Sequence, residues 1–234
     1  MIVRNLQHVR DRITTACFAA GRNPATVRLL AVSKTFPAEA VIDAVSDCQR
    51  AFGENYITEG VEKILALKAN PVGAVLPPLE WHCIGPVQSN KTRLVAENFD
   101  WVQSVDLLKI AQRLSEQRPT GLPPLQICLQ VNLDGGANKS GGSAGETLAL
   151  ANEVARLPNI VLRGLMSIPE PAADFVAACA VHQKAKDLFD AINASGELPA
   201  PMDTLSMGMT ADLEAAIHSG STMVRVGTAI FGGR

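Results

Sequence analysis

Hydrophobic and polar positions follow two alternating periods along this chain. Leu29–Val32 holds four consecutive apolar residues, which is typical of a strand buried on both faces of a parallel sheet. Ala38, Val41, Ile42 and Val45 then repeat at intervals of three and four, which predicts one face of a helix. The same succession of strand and helix recurs to the last apolar run, so the sequence predicts repeated βα units.

Eight predicted strands alternate with helices, and one extra helix, Asn5–Ala20, precedes the first strand. The strands are predicted at Leu29–Val32, Arg50–Phe52, Glu80–Gly85, Trp101–Val105, Leu125–Asn132, Ile160–Met166, Asp203–Ser206 and Met223–Val226. Strict alternation implies parallel strands with right-handed crossovers, and eight units are the number that closes a TIM barrel. A doubly wound open sheet is the alternative, because the second and seventh strands are weak. No linker interrupts the pattern, so we predict one domain over residues 1–234.

Composition narrows the classes of function. The 234 residues carry a formal net charge of −2 with dispersed Lys and Arg, which argues against a nucleic acid or an anionic membrane as partner. No apolar run approaches the roughly 20 residues of a membrane span, and polar residues interrupt the start too early for a signal peptide. The cysteines are odd in number, widely separated and without a CxxC pair, so we expect reduced core thiols, no metal site and a cytoplasmic protein. They are Cys17, Cys48, Cys83, Cys128 and Cys179.

A lysine follows the first strand, at the end of the sheet where active sites of α/β barrels collect. Pro37 stops the extended segment three residues after Lys34. Burial at this place would disfavour the ammonium form, so Lys34 is a candidate Schiff-base lysine. The alternative is that Lys34 reaches out to a loop or pairs with a carboxylate, as most lysines are surface residues.

Two segments near the C-terminus combine glycine turns with hydroxyl side chains. Leu205–Asp212 contains a strand end, a glycine turn and a helix start, where free backbone N–H groups suit a phosphate. Arg225–Thr228 adds Gly227, which lets the backbone approach a ligand closely. Both segments follow strands seven and eight, where TIM barrels commonly hold a phosphate group. The alternative is that Ser206 and Thr210 merely cap their helix.

Five motifs occur in order along nearly the whole chain. They are Val32–Thr35, Phe52–Tyr56, Trp81–Lys91, Leu205–Met209 and Val224–Gly232. Together they resemble the signature blocks of the pyridoxal phosphate homeostasis protein family (YggS/PROSC type), whose fold is similar to the N-terminal barrel of bacterial alanine racemase. The resemblance implies an α/β fold, a single (β/α)8 TIM barrel of the alanine racemase N-terminal type with an extra N-terminal helix.

The resemblance also implies a cofactor, pyridoxal 5′-phosphate (PLP), and no metal. Lys34 matches the lysine that forms the internal aldimine, and Arg225 matches an arginine that faces the pyridine nitrogen. An always-charged arginine donates a hydrogen bond to that nitrogen and leaves it unprotonated, which weakens the ring as an electron sink. The other implied cofactor-binding positions are Ser206, Gly227 and Thr228 at the phosphate, with the backbone around Met209 and Thr210 contributing, and Asn55 and His82 near the ring.

The implied function is intracellular PLP homeostasis: the protein holds PLP as a Lys34 aldimine and releases it to other proteins, among them PLP-requiring apoenzymes. We predict no catalytic residue, because racemase relatives take a second base from an additional β domain, for which this chain has no residues left. Its single tyrosine, Tyr56, is predicted to pack with its hydroxyl bonded, the alternative being a proton shuttle. Without that β domain we expect a monomer. The alternative functions are a PLP-dependent amino-acid racemase or decarboxylase, or a barrel that binds another phosphate metabolite.

Some positions depart from the family pattern or fall outside it. Phe36 stands where bacterial relatives often carry a second lysine, which puts in doubt a secondary role in cofactor handling there. In the glycine-rich loop 135–145, residues 139–141 match the family but residues 135–138 replace its usual acidic residues, and Lys139 is either a mobile amine that handles PLP or a solvated loop lysine. His182 and the other helical histidines are predicted to be structural or surface residues.

Overall fold

The chain forms a closed barrel of eight parallel strands in sequential order. This computed structural model describes residues 1–69, 78–134 and 140–233. The strands are β1 (Arg28–Val32), β2 (Ala51–Glu54), β3 (Glu80–Cys83), β4 (Trp101–Val105), β5 (Leu125–Val131), β6 (Ile160–Ser167), β7 (Thr204–Ser206) and β8 (Met223–Val226). Because β1 pairs with both β2 and β8, the sheet closes and the open doubly wound alternative is excluded. The predicted TIM barrel is confirmed.

Helices surround the barrel, and the extra helix before β1 is present as predicted. They are α1 (Ile2–Ala19), α2 (Ala38–Ser46), α3 (Ile57–Ala69), α4 (Thr92–Asn98), α5 (Leu108–Gln117), α6 (Ala144–Val154), α7 (Phe175–Ala194), α8 (Leu213–His218) and α9 (Thr228–Phe231). The short α9 was not predicted, since four residues are too few to show a helical period. None of the helices in the described ranges is long and apolar enough to cross a membrane.

All five cysteines are free, as predicted, but two of them are not core residues. Cys48 is exposed in the turn after α2, where its φ is 62°, and Cys179 is half-buried on α7. Their apolar neighbours in sequence had suggested burial. The predicted role of Lys139 concerns a residue that lies outside the described ranges.

The barrel interior is partly polar, and this positions the candidate site. Side chains alternate between the interior and the helices along each strand, so Leu30 and Val32 of β1 face inward while Ala31 joins the outer core. TIM barrels usually fill this interior with branched apolar residues. Here several polar or charged side chains are also buried on the strands, and four of them, His82, Gln103, Ser206 and Arg225, are joined by hydrogen bonds.

Candidate functional site

Lys34 lies in a tight turn directly after β1, and the residue is exposed. The Phe36 N–H donates to the Ser33 carbonyl (3.1 Å), which closes the turn around Lys34 and Thr35. Thr35 has a φ of 67°, a conformation that β-branched residues rarely adopt. The chain turns outward immediately after the strand, so the exposure of Lys34 agrees with the alternative of a lysine that reaches out to a loop, and its role as a Schiff-base lysine stays a prediction. The conformation of the turn holds the Lys34 amine at the carboxyl end of the barrel, where it is in contact with solvent.

A buried ion pair supports the Lys34 turn. The Lys63 ammonium on α3 donates to the Ser33 carbonyl (2.8 Å) and to Glu54 Oε1 (2.6 Å). The Ser33 hydroxyl donates to the same Glu54 oxygen (2.7 Å), and the Thr35 N–H donates to the Glu59 carboxylate. Burial raises the pKa of Glu54, while Lys63 and the Ser33 hydroxyl oppose that rise. These residues did not emerge from the sequence, although the i,i+4 spacing of Glu59 and Lys63 was an available signal.

The Lys34 turn packs against the segment that follows β8. The rings of Phe36 and Phe231 have centroids 5.2 Å apart, which joins this turn to α9. A Cβ atom added to Gly227 would lie 3.2 Å from the Val32 carbonyl oxygen, so glycine lets the two turns approach closely. Gly227 therefore brings the turn after β8 close to the end of β1, the strand that Lys34 follows.

The turns after β7 and β8 lie side by side. The Thr228 hydroxyl donates to the Thr210 hydroxyl (3.3 Å). The N-cap of α8 is Asp212, so Thr210 does not serve as the helix cap that the alternative assigned to it. The Met209 N–H donates to Asp212 Oδ1 (2.6 Å), and this backbone group is therefore already engaged by the protein. The two threonine hydroxyls remain the polar side chains at this junction that suit an anion.

Asp212 anchors the turn after β7 through a residue from another element. Its Oδ2 lies 2.9 Å from His182 Nε2 on α7. Burial would raise the pKa of Asp212, but hydrogen bonds from His182 and from the Met209 backbone lower it below its usual value. His182 is buried, so its predicted structural role is confirmed. The contact between residues 30 positions apart left no local pattern in the sequence.

Ser206 and Arg225 lie in the barrel interior and bind each other. Arg225 donates through Nη1 to the Ser206 hydroxyl (2.8 Å) and through Nη2 to the Ser167 carbonyl (2.8 Å). The Ser206 hydroxyl donates in turn to Gln103 Oε1 (2.6 Å). Burial lowers the pKa of Arg225 to about 10, so the guanidinium is still charged at neutral pH. Ser206 does not cap a helix, and its contact with a phosphate stays a prediction.

His82 is fully buried in the barrel and held by hydrogen bonds on both ring nitrogens. Its Nε2 lies 2.6 Å from Glu80 Oε1, and its Nδ1 lies 2.8 Å from Gln103 Nε2. The ring stacks on Trp101 with centroids 5.0 Å apart. Burial lowers the pKa of His82, although Glu80 acts in the opposite direction. Because an amide nitrogen only donates, Nδ1 accepts and the proton of the neutral ring is assigned to Nε2.

Asn55 follows β2 at the mouth of the barrel, directly after Glu54. Its side-chain Oδ1 is buried without a hydrogen-bond partner among the described residues. An unpaired buried amide oxygen costs free energy, so this atom suits a site where a ligand supplies the missing donor. The next residue, Tyr56, is 57% exposed, so its predicted packing is wrong. The unpaired Asn55 oxygen, the threonine hydroxyls and the Arg225 guanidinium fit a ligand with a phosphate and a polar ring.

The fold and these residues define a known class of barrel. Residues 4–234 match the family model described as alanine racemase, N-terminal domain. Two curated relatives, from Pseudomonas aeruginosa and Escherichia coli, are 55% and 49% identical over 100% of this chain and 96% and 97% of their own length. Both are named pyridoxal phosphate homeostasis protein. The chain belongs to the pyridoxal phosphate homeostasis protein family.

Solved structures share the barrel. PipY of Synechococcus elongatus has been solved without PLP and with PLP bound, and is 34% and 32% identical in the two comparisons. Each superposes with a TM-score of 0.84 and covers 99% of this chain and 100% of PipY. An alanine racemase of Clostridium difficile superposes with a TM-score of 0.72 over 99% of this chain and 57% of the racemase. At 16% identity it shows likeness of fold alone.

Proposed function

We propose that this protein is a single-domain barrel that binds PLP, attaches it covalently at Lys34 and releases it to other proteins as part of intracellular PLP homeostasis. Membership of the family and the PLP-bound PipY structure support the cofactor. The observation that carries the residue assignment is the contact between the Lys34 turn and the turn after β8, made by Gly227 with Val32 and by Phe36 with Phe231.

Each group of the cofactor has a proposed counterpart in the chain. The Lys34 amine takes the aldehyde carbon, and the Thr210 and Thr228 hydroxyls with the Gly227 backbone take the phosphate. Arg225 donates to the pyridine nitrogen, because a guanidinium has N–H groups and no acceptor. The Asn55 oxygen accepts from a ligand or water donor. When bound, PLP supplies a reactive aldehyde on an electron-accepting ring.

The same residues favour a carrier over an enzyme. An arginine at the pyridine nitrogen makes the ring a weak electron sink. The only tyrosine of the chain is exposed, so it is poorly placed as a second proton donor in a closed site. An exposed Lys34 suits exchange with another amine. Apoenzymes as recipients, a monomeric state, a cytoplasmic location and the absence of a catalytic residue are parts of this proposal.

Covalent attachment at Lys34 can be tested directly. The purified protein is incubated with PLP, reduced with borohydride and mapped by peptide mass spectrometry. We expect the pyridoxyl mass on the Lys34 peptide, its loss in Lys34→Ala and its retention in Lys184→Ala, which removes an exposed lysine of α7. A wild-type protein that carries no pyridoxyl group on the Lys34 peptide would contradict the proposal.

A second experiment separates the carrier from the racemase or decarboxylase alternative. The PLP-loaded protein is incubated with single-enantiomer amino acids in deuterated water, and Cα exchange and carbon dioxide release are followed. The proposal predicts neither at enzymatic rates. Sustained turnover that disappears in Lys34→Ala would favour the enzyme instead.

A further inference from the structure

A series of hydrogen bonds crosses the barrel interior from Arg225 to Glu80. Arg225 Nη1 donates to the Ser206 hydroxyl (2.8 Å), which donates to Gln103 Oε1 (2.6 Å). Gln103 Nε2 donates to His82 Nδ1 (2.8 Å). His82 Nε2 then donates to Glu80 Oε1 (2.6 Å). The three intermediate side chains are buried completely, so water does not share these bonds.

The groups at the two ends of the series determine which side chain donates and which accepts in every hydrogen bond between them. A guanidinium only donates and a carboxylate only accepts, so Ser206 must pass its own proton towards Gln103. The Gln103 amide is therefore fixed with its oxygen towards Ser206 and its nitrogen towards His82. A second contact agrees, since the same nitrogen donates to Met223 Sδ (3.1 Å), an atom that can only accept. His82 is consequently neutral, with its proton on Nε2.

The series joins a buried cation to a carboxylate at the start of β3. Burial would raise the pKa of Glu80, but the contacts with His82 and Arg28 lower it to about 2, so this carboxylate is charged. The Arg28 guanidinium lies 2.8 Å from it, and the Asp100 carboxylate also acts on His82. At the mouth of the barrel, the charged group with the largest electrostatic effect on the pKa of Arg225 is the Asp212 carboxylate. Hydrogen bonds aligned in this way polarise and strengthen one another in a low-dielectric interior.

We propose that Gln103 and His82 are positioning residues of the cofactor site, which act through Ser206 to hold the Arg225 guanidinium in one orientation. Two of its five N–H groups are committed to Ser206 and the Ser167 carbonyl, and the other three make no hydrogen bond to a described residue, so they are available to a ligand. Glu80 completes the series at the far end of the barrel. The inference rests on the proposed function, in which Arg225 meets the pyridine nitrogen.

The first test uses the protein without cofactor. Nitrogen NMR of the His82 ring at neutral pH is expected to show a neutral imidazole with its proton on Nε2 and a hydrogen-bonded Nδ1. Gln103→Met, which is similar in size but lacks both polar atoms, should shift the Nδ1 resonance. Ser104→Ala should not, because Ser104 lies on the same strand but donates to the Gly85 carbonyl (2.6 Å) outside the series. A proton on Nδ1 of His82 in the wild type would overturn the proposed direction.

The second test uses the PLP-loaded protein and reads its absorption band across pH together with PLP affinity. Gln103→Met is expected to shift the band and to weaken binding about tenfold, because the buried Ser206 hydroxyl loses its acceptor and no longer holds Arg225. Glu80→Gln removes only the terminal charge, at a partly exposed position, and should shift the band in the same direction with about threefold weaker binding. Asp203→Asn is the matched control and should leave the band and the affinity at wild-type values. Asp203, just before β7, pairs with Arg163 and is no member of the series.

The outcomes separate this inference from the proposed function. If PLP attaches to Lys34 but both Gln103→Met and Glu80→Gln leave its band and affinity at wild-type values, the hydrogen bonds are merely structural and the inference fails alone. If PLP does not attach to Lys34 in the wild type, the proposed function fails and takes the inference with it. A Gln103→Met protein that does not fold leaves the decision to Glu80→Gln.

Discussion

The Lys63 ammonium lies 2.6 Å from the Glu54 carboxylate, and the two side chains are only 5% and 0% exposed. Removing two charges from water is costly, and their attraction offsets the cost only while both are present. Lys63 also binds the Ser33 carbonyl, so the pair is coupled to the backbone that carries Lys34. We infer that this ion pair serves the conformation of the turn more than the stability of the barrel.

Replacing Lys63 by an uncharged residue should therefore destabilise the protein strongly. Lys63→Met leaves Glu54 buried with an unpaired charge, and the free energy of unfolding should fall by about 3–5 kcal/mol. Adding Glu54→Gln to this variant should restore most of the loss, because no buried charge then remains. Lys186→Met, which breaks an exposed pair with Asp190, should cost less than about 1 kcal/mol. Denaturant unfolding measures all three, and a loss in Lys63→Met no larger than in Lys186→Met would contradict the prediction.

Gly208 should not tolerate a side chain. Its φ is 94°, and an added Cβ would lie 2.5 Å from the Ala216 Cβ in α8. We expect Gly208→Ala to cost about 2 kcal/mol or more, from backbone strain and overpacking together. Gly145→Ala is the control, since no atom lies within 4 Å of its added Cβ in α6, and it should stabilise by about 0.5–1 kcal/mol. Thermal unfolding in which both variants behave alike would refute this account.

Thr210 and Thr228 should strengthen the binding of PLP but not of pyridoxal, which lacks the phosphate. Thr210→Val and Thr228→Val each remove a hydroxyl from the junction of the two turns. Each should weaken PLP binding about tenfold, because a hydrogen bond to a charged group is lost. Binding of pyridoxal, which lacks the phosphate, should change little, and Thr15→Val on α1 should leave both affinities unchanged. Absorbance titrations with the two ligands measure this, and equal losses for PLP and pyridoxal would assign the hydroxyls another role.

Lowering the pH should reduce the free energy of unfolding through both His82 and Glu80. Burial lowers the pKa of His82 below its ordinary 6.5, so below about pH 6.5 the unfolded chain binds a proton that the folded chain does not. The pKa of Glu80 is about 2 against an ordinary 4.5, so its stabilisation is present above pH 4.5 and is lost as the pH falls towards 2. In both cases the unfolded state binds more protons, and stability therefore rises with pH.

Denaturant unfolding between pH 8 and 3 measures this dependence. We expect a first decline below about pH 6.5 and a second below about pH 4.5, and the second should be smaller in Glu80→Gln but not absent, because Asp212 and other carboxylates also have a lowered pKa. Nitrogen NMR provides an independent reading, because His82 should stay neutral below pH 6.5. A free energy of unfolding that does not change between pH 7.5 and 5 would contradict the assignment of His82 as a buried neutral ring.

Much of the barrel could be predicted because each strand is a short apolar run between turn residues. Trp101–Val105 and Met223–Val226 have the bounds that their sequence patterns predicted. The sequence left open whether Lys34 is buried or reaches out to a loop, since the outcome depends on the left-handed φ of Thr35, which no hydrophobic period encodes. Closure of the sheet followed from counting eight units, whereas α9 was too short to leave a pattern.

Part of the candidate site could likewise be predicted from the sequence, and part of it could not. Thr210, Gly227 and Thr228 could be grouped from the sequence, because turns after neighbouring parallel strands meet at one rim. The interior contacts could not, since the alternation of side chains shows which residues point inward but not which of them meet across the barrel. Gln103 and Ser206 are 103 positions apart, and only the closed sheet brings them together.

The outward turn of Lys34 bears on how a carried aldehyde would leave. Because Lys34 is exposed among the described residues, we expect an incoming primary amine to reach it from bulk solvent. We therefore expect hand-over to behave as a simple bimolecular encounter, with a rate that climbs in proportion to the concentration of the acceptor and shows no plateau from a slow opening movement.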